Sequence, residues 1–336
     1  MKILFSSYLF YPSVGGIESV SKILAEKFAA AGNEVHIITQ TPGEEIIGAN
    51  YRIARRPSIS KLFGLLNWCD LFFQNNITLR SLILALLRRK PTLVVHQTWL
   101  RSTRGEMTWN NRLKRALLPR VTNVAISKAV ADSIAGHSFV IGNPYDNAVF
   151  RLMPNNAREK DLVFVGRLVS DKGADLLLRA LKSLQRENLQ PNLTIVGSGP
   201  EENNLRKLTS ELSLDRQVTF AGQQSGAELA RILNQHRILV VPSRWAEPFG
   251  IVALEGIACG CVVVGSKNGG LTEAIGSCGL TFENGEISAL AAQLKGLLSE
   301  PELIANLRQS AAEHLARFQP DQVAAAYLRL MRKIAA

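Results

Sequence analysis

DLVFVGRLVSDKGADLLLRALKSLQRENLQPNLTIVGSG, residues 161–199, decides the fold. DLVFVGR (161–167) is an apolar run of strand length. GADLLLRALKSLQ (173–185) carries its apolar residues at helical spacing behind a glycine. NLTIVGSG (192–199) is again a short apolar run, closed by glycines. Strand, helix and strand in that order belong to a parallel sheet with helices on its faces.

Toward the C-terminus the alternation continues: EENNLRKLTSEL (201–212), QVTFAG (217–222), ELARILNQH (228–236), ILVVPS (238–243), FGIVALEGIACG (249–260) and CVVVG (261–265). Residues 287–316 read as helical, Pro320 interrupts, and QVAAAYLRLMRKI forms one more helix. Toward the N-terminus lies RLMPNNAREK (151–160), polar and linker-like, and beyond it a separate series. KILFSS (2–7), VHIITQ (35–40), LVVHQ (93–97), TNVAIS (122–127) and SFVIGNP (138–144) read as strands. Ile17 to Ala31, a basic stretch near 110–118 and SKAVADSIAG (127–136) read as helices. The chain is therefore expected to be α/β, two doubly wound Rossmann-like domains with no sequence repeat between them. Open parallel sheets bind ligands at the carboxyl ends of their strands, so a ligand between the two domains is expected.

Composition narrows the class. The 336 residues suit two domains, and 46% hydrophobic residues exclude a disordered chain. Cys69, Cys259, Cys261 and Cys278 form neither a disulfide framework nor a zinc pattern, which points to a reducing cytoplasm. No apolar run reaches the roughly 18–20 residues of a membrane span. MKILFSSYLFYPSVGG reads as a buried first strand rather than a signal peptide, because a helical pattern follows at once. The net charge is +11, and residues 1–150 hold 18 Lys+Arg against 9 Asp+Glu. Nucleic acid, an anionic membrane surface and an anionic substrate are the partners such a field suits.

The chemistry concentrates in RWAEPFGIVALEGIACG (244–260). Glu247 precedes Pro248, placed at the first turn of a helix, and Phe249, Gly250 and Ile251 open that helix. Gly250 admits close backbone approach, and a helix start offers free N–H groups to a diphosphate. Glu255 sits within an apolar run, where an unpaired charge is costly. Two carboxylates so spaced suit hydroxyl groups at two ends of an elongated ligand; the alternative is one capping and one solvated glutamate. Arg167 and Lys172 lie at a strand-to-helix turn, where two fixed cations stabilise a departing phosphate; the alternative is two surface side chains. Gly15 and Gly16 follow the first strand and suit either backbone approach to phosphate or a simple tight turn, with Glu18 as a helix cap. His96 ends LVVH and is expected to point toward the ligand side, or else to be a structural histidine.

These motifs, in this order, resemble those of family 4 retaining glycosyltransferases (glycosyl transferases group 1). EPFGIVALE looks like the family's E-x7-E signature, and FVGRLVSDKG (164–173) its diphosphate-binding segment. LTIVGSGPE (193–201), KNGGLTEAI (267–275), GGIE (15–18) and VIGNPYDNAVF (140–150) match further segments. The resemblance implies the GT-B fold, with domains facing across a cleft. The N-terminal acceptor domain spans 1–152 and the nucleotide-sugar donor domain 158–318, and a helix at 320–336 crosses back to the first domain. It implies Glu247, His96, Arg167 and Lys172 as catalytic. Gly15, Gly16, Arg167, Lys172, Phe249, Gly250, Ile251 and Glu255 would bind the donor. Glu247 would orient the sugar and Glu255 the ribose. Where the family often has H-x-H, this chain has His96-Gln97-Thr98.

The implied activity is transfer of a hexose-type sugar from a UDP- or GDP-sugar to a glycan or lipid-linked acceptor, in cell-surface polysaccharide or glycolipid synthesis. No D-x-D triplet, GxGxxG after the first strand, Walker A motif or serine elbow occurs. With Arg167 and Lys172 supplying charge, no metal is expected. No carboxylate nucleophile stands out, and the family suggests attack on the leaving-group side. Within 52–120, SKLFGLLNWCDLFFQNN, TLRSLILALLRRK and NRLKRALLPR are apolar with basic ends. They suit amphipathic surfaces on an anionic membrane, or ordinary core helices. Arg101, Arg104 and Arg112 could hold an anionic acceptor instead. The competing readings are a nucleotide-sugar epimerase or phosphorylase on the same fold, and a basic nucleic-acid-binding protein. The last lacks any RNA-binding motif.

Overall fold

The structure is a computed structural model and describes all residues except 14, 45–47, 101–107, 135, 155–157 and 336. Two compact units divide the chain, one of Met1–Pro144 with Phe318–Ala336, the other of Tyr145–Arg317.

The first unit holds a parallel sheet of β1 (Lys2–Ser7), β2 (Glu34–Thr39), β3 (Arg52–Arg55), β4 (Leu71–Asn75), β5 (Thr92–His96), β6 (Thr122–Ala125) and β7 (Phe139–Val140), in the order β3-β2-β1-β4-β5-β6-β7. Its helices are α1 (Gly16–Ala30), α2 (Ile59–Trp68), α3 (Leu79–Leu87), α4 (Trp109–Leu117) and α5 (Lys128–Ser133). Ile3, Leu4 and Phe5 are buried because β1 runs through the middle of the sheet. The apolar stretch 61–77 is divided by structure: Leu62 and Leu66 of α2 turn into the core, and LFFQN is the buried β4. β4 escapes a sequence reading because its short apolar run follows an amphipathic helix almost directly.

The second unit holds β8 (Lys160–Val165), β9 (Leu193–Val196), β10 (Val218–Gly222), β11 (His236–Val241), β12 (Val262–Ser266) and β13 (Gly279–Phe282), all parallel, in the order β10-β9-β8-β11-β12-β13. Its helices are α6 (Ala174–Arg186), α7 (Glu202–Glu211), α8 (Gly226–Gln235), α9 (Ile251–Ala258), α10 (Leu271–Ile275), α11 (Ile287–Ser299), α12 (Pro301–Gln309) and α13 (Ala311–Ala316). Leu177, Leu181 and Leu184 of α6 pack with Ile195, Val240 and Leu294 in one apolar core.

The last helix, α14 (Pro320–Ala335), belongs to the first unit. Tyr327 meets Phe28 of α1 and Phe73 of β4 edge-on, at 6.3 and 5.5 Å between ring centres, and Lys27 pairs with Asp321 at 2.7 Å.

Each sheet reverses its strand order once, beside its first strand: between β1 and β4, and between β8 and β11. The carboxyl ends of strands at such a reversal are where ligands bind in open α/β sheets.

Candidate active site

In the second unit the β8 and β11 loops meet at the reversal. β8 ends at Val165, and Gly166 and Arg167 begin the turn. The turn is held by backbone contact. A Cβ on Gly197 would lie 1.9 Å from the Gly166 carbonyl, and one on Gly199 2.3 Å from that of Leu168. The glycines of VGSGP therefore let the β9 turn rest against the Arg167 loop. Ser170–Lys172 form one 3₁₀ turn, and Gly173 takes a left-handed conformation (φ 68°). A Cβ there would meet the Pro242 carbonyl at 2.0 Å, so Lys172 is held against the β11 loop by a close approach only glycine permits.

From the other side, the β11 loop delivers Glu247. Its Oε1 accepts from Ser243 Oγ at 2.7 Å and from Lys172 Nζ at 2.6 Å. Its backbone carbonyl accepts from Gly270 N at 2.7 Å, fixing the loop to the glycine turn before α10. Arg244 ties the two loops again: its guanidinium grips both oxygens of Asp175 at 2.6 Å, and its backbone N–H donates to the Asp171 carbonyl. Burial alone would raise the Asp175 carboxyl, but Arg244 prevails and holds it below its ordinary range. Ser243, Arg244 and Asp175 lie within the quoted stretches but receive no role from the motifs; their polar types flanking Glu247 and Lys172 are the only signal. Arg167 stays exposed, with no ion pair among the described residues.

α9 begins at Ile251 behind Gly250, which is left-handed (φ 96°) and provides no side-chain cap. Pro248 is thus outside the first helical turn, because the left-handed cap comes two residues later. Phe249 is 2% exposed, so its ring serves the core and only its backbone is left for a ligand. Glu255 is half-buried, five residues into the helix, and its carboxyl group has no hydrogen bond or ion pair among the described residues. Burial, then the charge of Asp146, pushes its carboxyl up to about 7.

In the first unit, Gly15 caps α1 in extended conformation, and the buried Glu18 folds back over it to accept from Ser13 Oγ at 3.3 Å. Gly16 is the exposed first residue of the helix. His96 corrects its expectation: its ring is fully buried rather than open to a ligand. Asn123 Nδ2 donates to the Leu118 and Val121 carbonyls, so Asn123 Oδ1 is the acceptor facing His96 Nε2 at 3.0 Å, and His96 Nδ1 has no partner among the described residues. Burial lowers the pKa of His96, which keeps it neutral. Beside it runs a polar chain that the sequence reading missed. Asn143 Nδ2 donates to Gln97 Oε1 at 2.8 Å and Gln97 Nε2 to Asn143 Oδ1 at 3.1 Å; Gln97 also donates to Asn75, and Asn75 to Ser21. Arg112 is exposed on α4; Arg101 and Arg104 lie outside the described residues.

The two Rossmann-like sheets, ordered 3-2-1-4-5-6-7 in the first unit and 3-2-1-4-5-6 in the second, are those of the GT-B fold, and solved structures of that class superpose on the chain. Anabaena HepE in complex with UDP matches at TM-score 0.84 and 21% identity, covering 99% of this chain and 100% of that one. Sucrose-phosphate synthase from Thermosynechococcus elongatus matches at TM-score 0.81 and 23% identity, over 99% and 98%. Residues 150–314, which carry the Arg167–Glu255 site, match the glycosyl transferases group 1 family. Among curated relatives, an uncharacterized glycosyltransferase of Methanocaldococcus jannaschii is 43% identical over 35% of this chain and 30% of its own length. D-inositol 3-phosphate glycosyltransferase of Mycobacterium marinum is 34% identical over 52% and 38%. The chain thus covers well under half of either relative.

Proposed function

We propose that this protein is a retaining glycosyltransferase that takes a hexose-type sugar from a UDP- or GDP-sugar. The observation that carries the reading is the assembly at the β8/β11 reversal: Arg167, the Lys172–Glu247 pair and the uncapped start of α9, with Glu255 further along that helix. The family match over 150–314 and the UDP bound by Anabaena HepE support it.

The diphosphate lies at the Gly250–Ile251 helix start, between Arg167 and Lys172. Glu247 accepts from sugar hydroxyls, and Glu255 accepts from the ribose. As the bond from the anomeric carbon to the phosphate oxygen breaks, Arg167 and Lys172 offset the charge growing on that oxygen. The acceptor oxygen bonds to the anomeric carbon on the same face, and its proton passes to the leaving phosphate. No metal enters this mechanism, because the two cations do that work. His96, neutral and buried, has no part in it.

The first unit, with Gly15 and Gly16 at its open strand ends, takes the acceptor, a glycan or lipid-linked alcohol of a surface polysaccharide or glycolipid. An anionic membrane surface is its second partner, supported by α4: Trp109 is 77% exposed, Leu113 lies one turn on, and no residue of the helix is buried.

The test is a screen of UDP- and GDP-sugars by thermal shift and donor hydrolysis. At a ligand concentration of about 100 Kd, binding stabilises by about 2.7 kcal/mol. Glu255→Ala is expected mainly to weaken nucleotide binding, and Glu247→Ala mainly to lower turnover. A folded protein indifferent to every nucleotide sugar sinks the reading.

A further inference from the structure

The second unit has another basic cluster, at the opposite ends of its strands from Arg167 and Glu247. β8 starts at Lys160, β11 at His236 and β12 at Val262. Beside these starts is a cavity of about 120 Å³ whose wall includes Leu152, Arg158, Ile257, Cys261, Cys278 and Arg308.

Both terminal nitrogens of Arg158 are engaged, donating to the carbonyls of His236 and Cys259. Arg308 is not so satisfied. Its one hydrogen bond among the described residues is a long 3.5 Å contact from Nη2 to the Arg237 carbonyl, and its Nε is buried without an acceptor. Neither Arg158 nor Arg308 has a carboxylate partner among the described residues, while neighbouring Arg237 is paired with Asp161 at 3.5 Å. Burial and then the like charge of Arg158 pull Arg308 below the ordinary arginine range. The thiols in the wall supply no counter-charge: burial pushes Cys261 up to about 12 and Cys278 up to about 11. A half-buried guanidinium with spare donors, beside a second cation and an apolar pocket, is a setting in which an anion would offset the cost of burying the charge.

We infer that this cavity binds a small oxyanion, phosphate or a short carboxylate, which accepts from the terminal N–H groups of the Arg308 guanidinium and rests against Leu152, Ile257 and Cys261. Nothing in the donor mechanism uses these residues. α9 ends and β12 begins at this wall, so the ligand would brace the corner between them.

The test is calorimetry and thermal unfolding with inorganic phosphate and, separately, with butyrate. It is run on the full chain, on R308Q, and on a variant lacking the donor-site cations (R167A/K172A). At least one anion is expected to bind the full chain and R167A/K172A alike. R308Q is expected to raise the Kd at least about tenfold, the scale of one charge-assisted hydrogen bond. In anion-free buffer R308Q should melt no lower than the parent, because it removes an unpaired buried charge. Binding of phosphate alone, or of butyrate alone, identifies the class of anion. The inference is overturned if neither anion binds. It is also overturned if R308Q binds normally, if binding is lost with Arg167 and Lys172 instead, or if R308Q unfolds without any anion present. Because R167A/K172A keeps the cavity, failure of the donor-site reading leaves this test intact.

Discussion

Glu255 carries the sharpest residue-scale consequence. Its place inside an apolar run is visible in the sequence; its lack of a partner among the described residues is not, because that depends on which side chains the fold brings near it. The folded carboxyl titrates at about 7 against an ordinary 4.5. Between those values the native state holds a proton that the unfolded chain has lost, so the contribution of Glu255 to stability falls as pH rises from 4.5 through about 7. Glu255→Gln is therefore expected to leave stability unchanged near pH 4.5 and to raise it at pH 8, by up to about 3 kcal/mol, as read from urea unfolding. The sign for the ligand is opposite. Ribose hydroxyls donate to the ionised carboxylate, so affinity for a nucleotide-diphosphate sugar should climb as pH passes through 7 and be flat in Glu255→Gln. A flat profile in the parent protein argues against a ribose role. His96 shows the other side of sequence legibility. Its position at a strand end is readable, but the direction of its ring is settled by Asn123, and nothing in LVVHQT foretells that partner.

At the scale of elements, the alternation of apolar runs is enough to read the central strands of both doubly wound sheets, since those strands are buried and the crossover helices between them are amphipathic. What it misses is short or masked by context: β3 is four residues with arginine at both ends, β4 follows α2 after two residues, and β13 is four residues of which only Phe282 is buried. The glycines are legible as motifs, but the reason for them is packing. Gly173 lets the Lys172 turn touch the Pro242 carbonyl, which is how Lys172 comes to sit 2.6 Å from Glu247. Gly173→Ala adds a left-handed strain and a backbone clash together. We expect it to cost about 2–4 kcal/mol and to lower turnover by separating that pair. Gly285→Ala is the matched control, left-handed (φ 85°) with nothing within 4 Å of its Cβ, and should cost only about 1–2 kcal/mol. Equal losses in the two variants, measured by denaturant unfolding and donor turnover, would reduce the Gly173 contact to mere backbone strain.

For the whole molecule, the charge asymmetry visible in the sequence sharpens once the units are known. The first unit holds 21 Lys+Arg against 9 Asp+Glu, and the second 18 against 19, so the first carries all of the net positive charge. The exposed large apolar side chains follow the same division: among the described residues all but Leu152 belong to the first unit, Tyr8, Leu87 and Trp109 being the most exposed there. No described helix is long and apolar enough to cross a membrane. Positive charge and unburied aromatic and aliphatic groups on one unit suit an anionic lipid surface, where each Lys or Arg near the headgroups contributes about 1 kcal/mol. Charge alone would suit nucleic acid equally; Trp109 and Leu113 on α4, with Arg112 between them, favour lipid because their apolar faces have no use on a phosphate backbone. Sedimentation with vesicles should show binding to phosphatidylglycerol and little to phosphatidylcholine, falling as salt shortens the screening length to about 3 Å at 1 M. Trp109→Ala should weaken vesicle binding by roughly tenfold, the worth of about 1.4 kcal/mol of interfacial burial, without changing the melting temperature, since the side chain packs on little. Equal binding to the two lipids, or retention of the Trp109→Ala variant at parent strength, would remove the membrane from the list of partners and leave the charge to the acceptor.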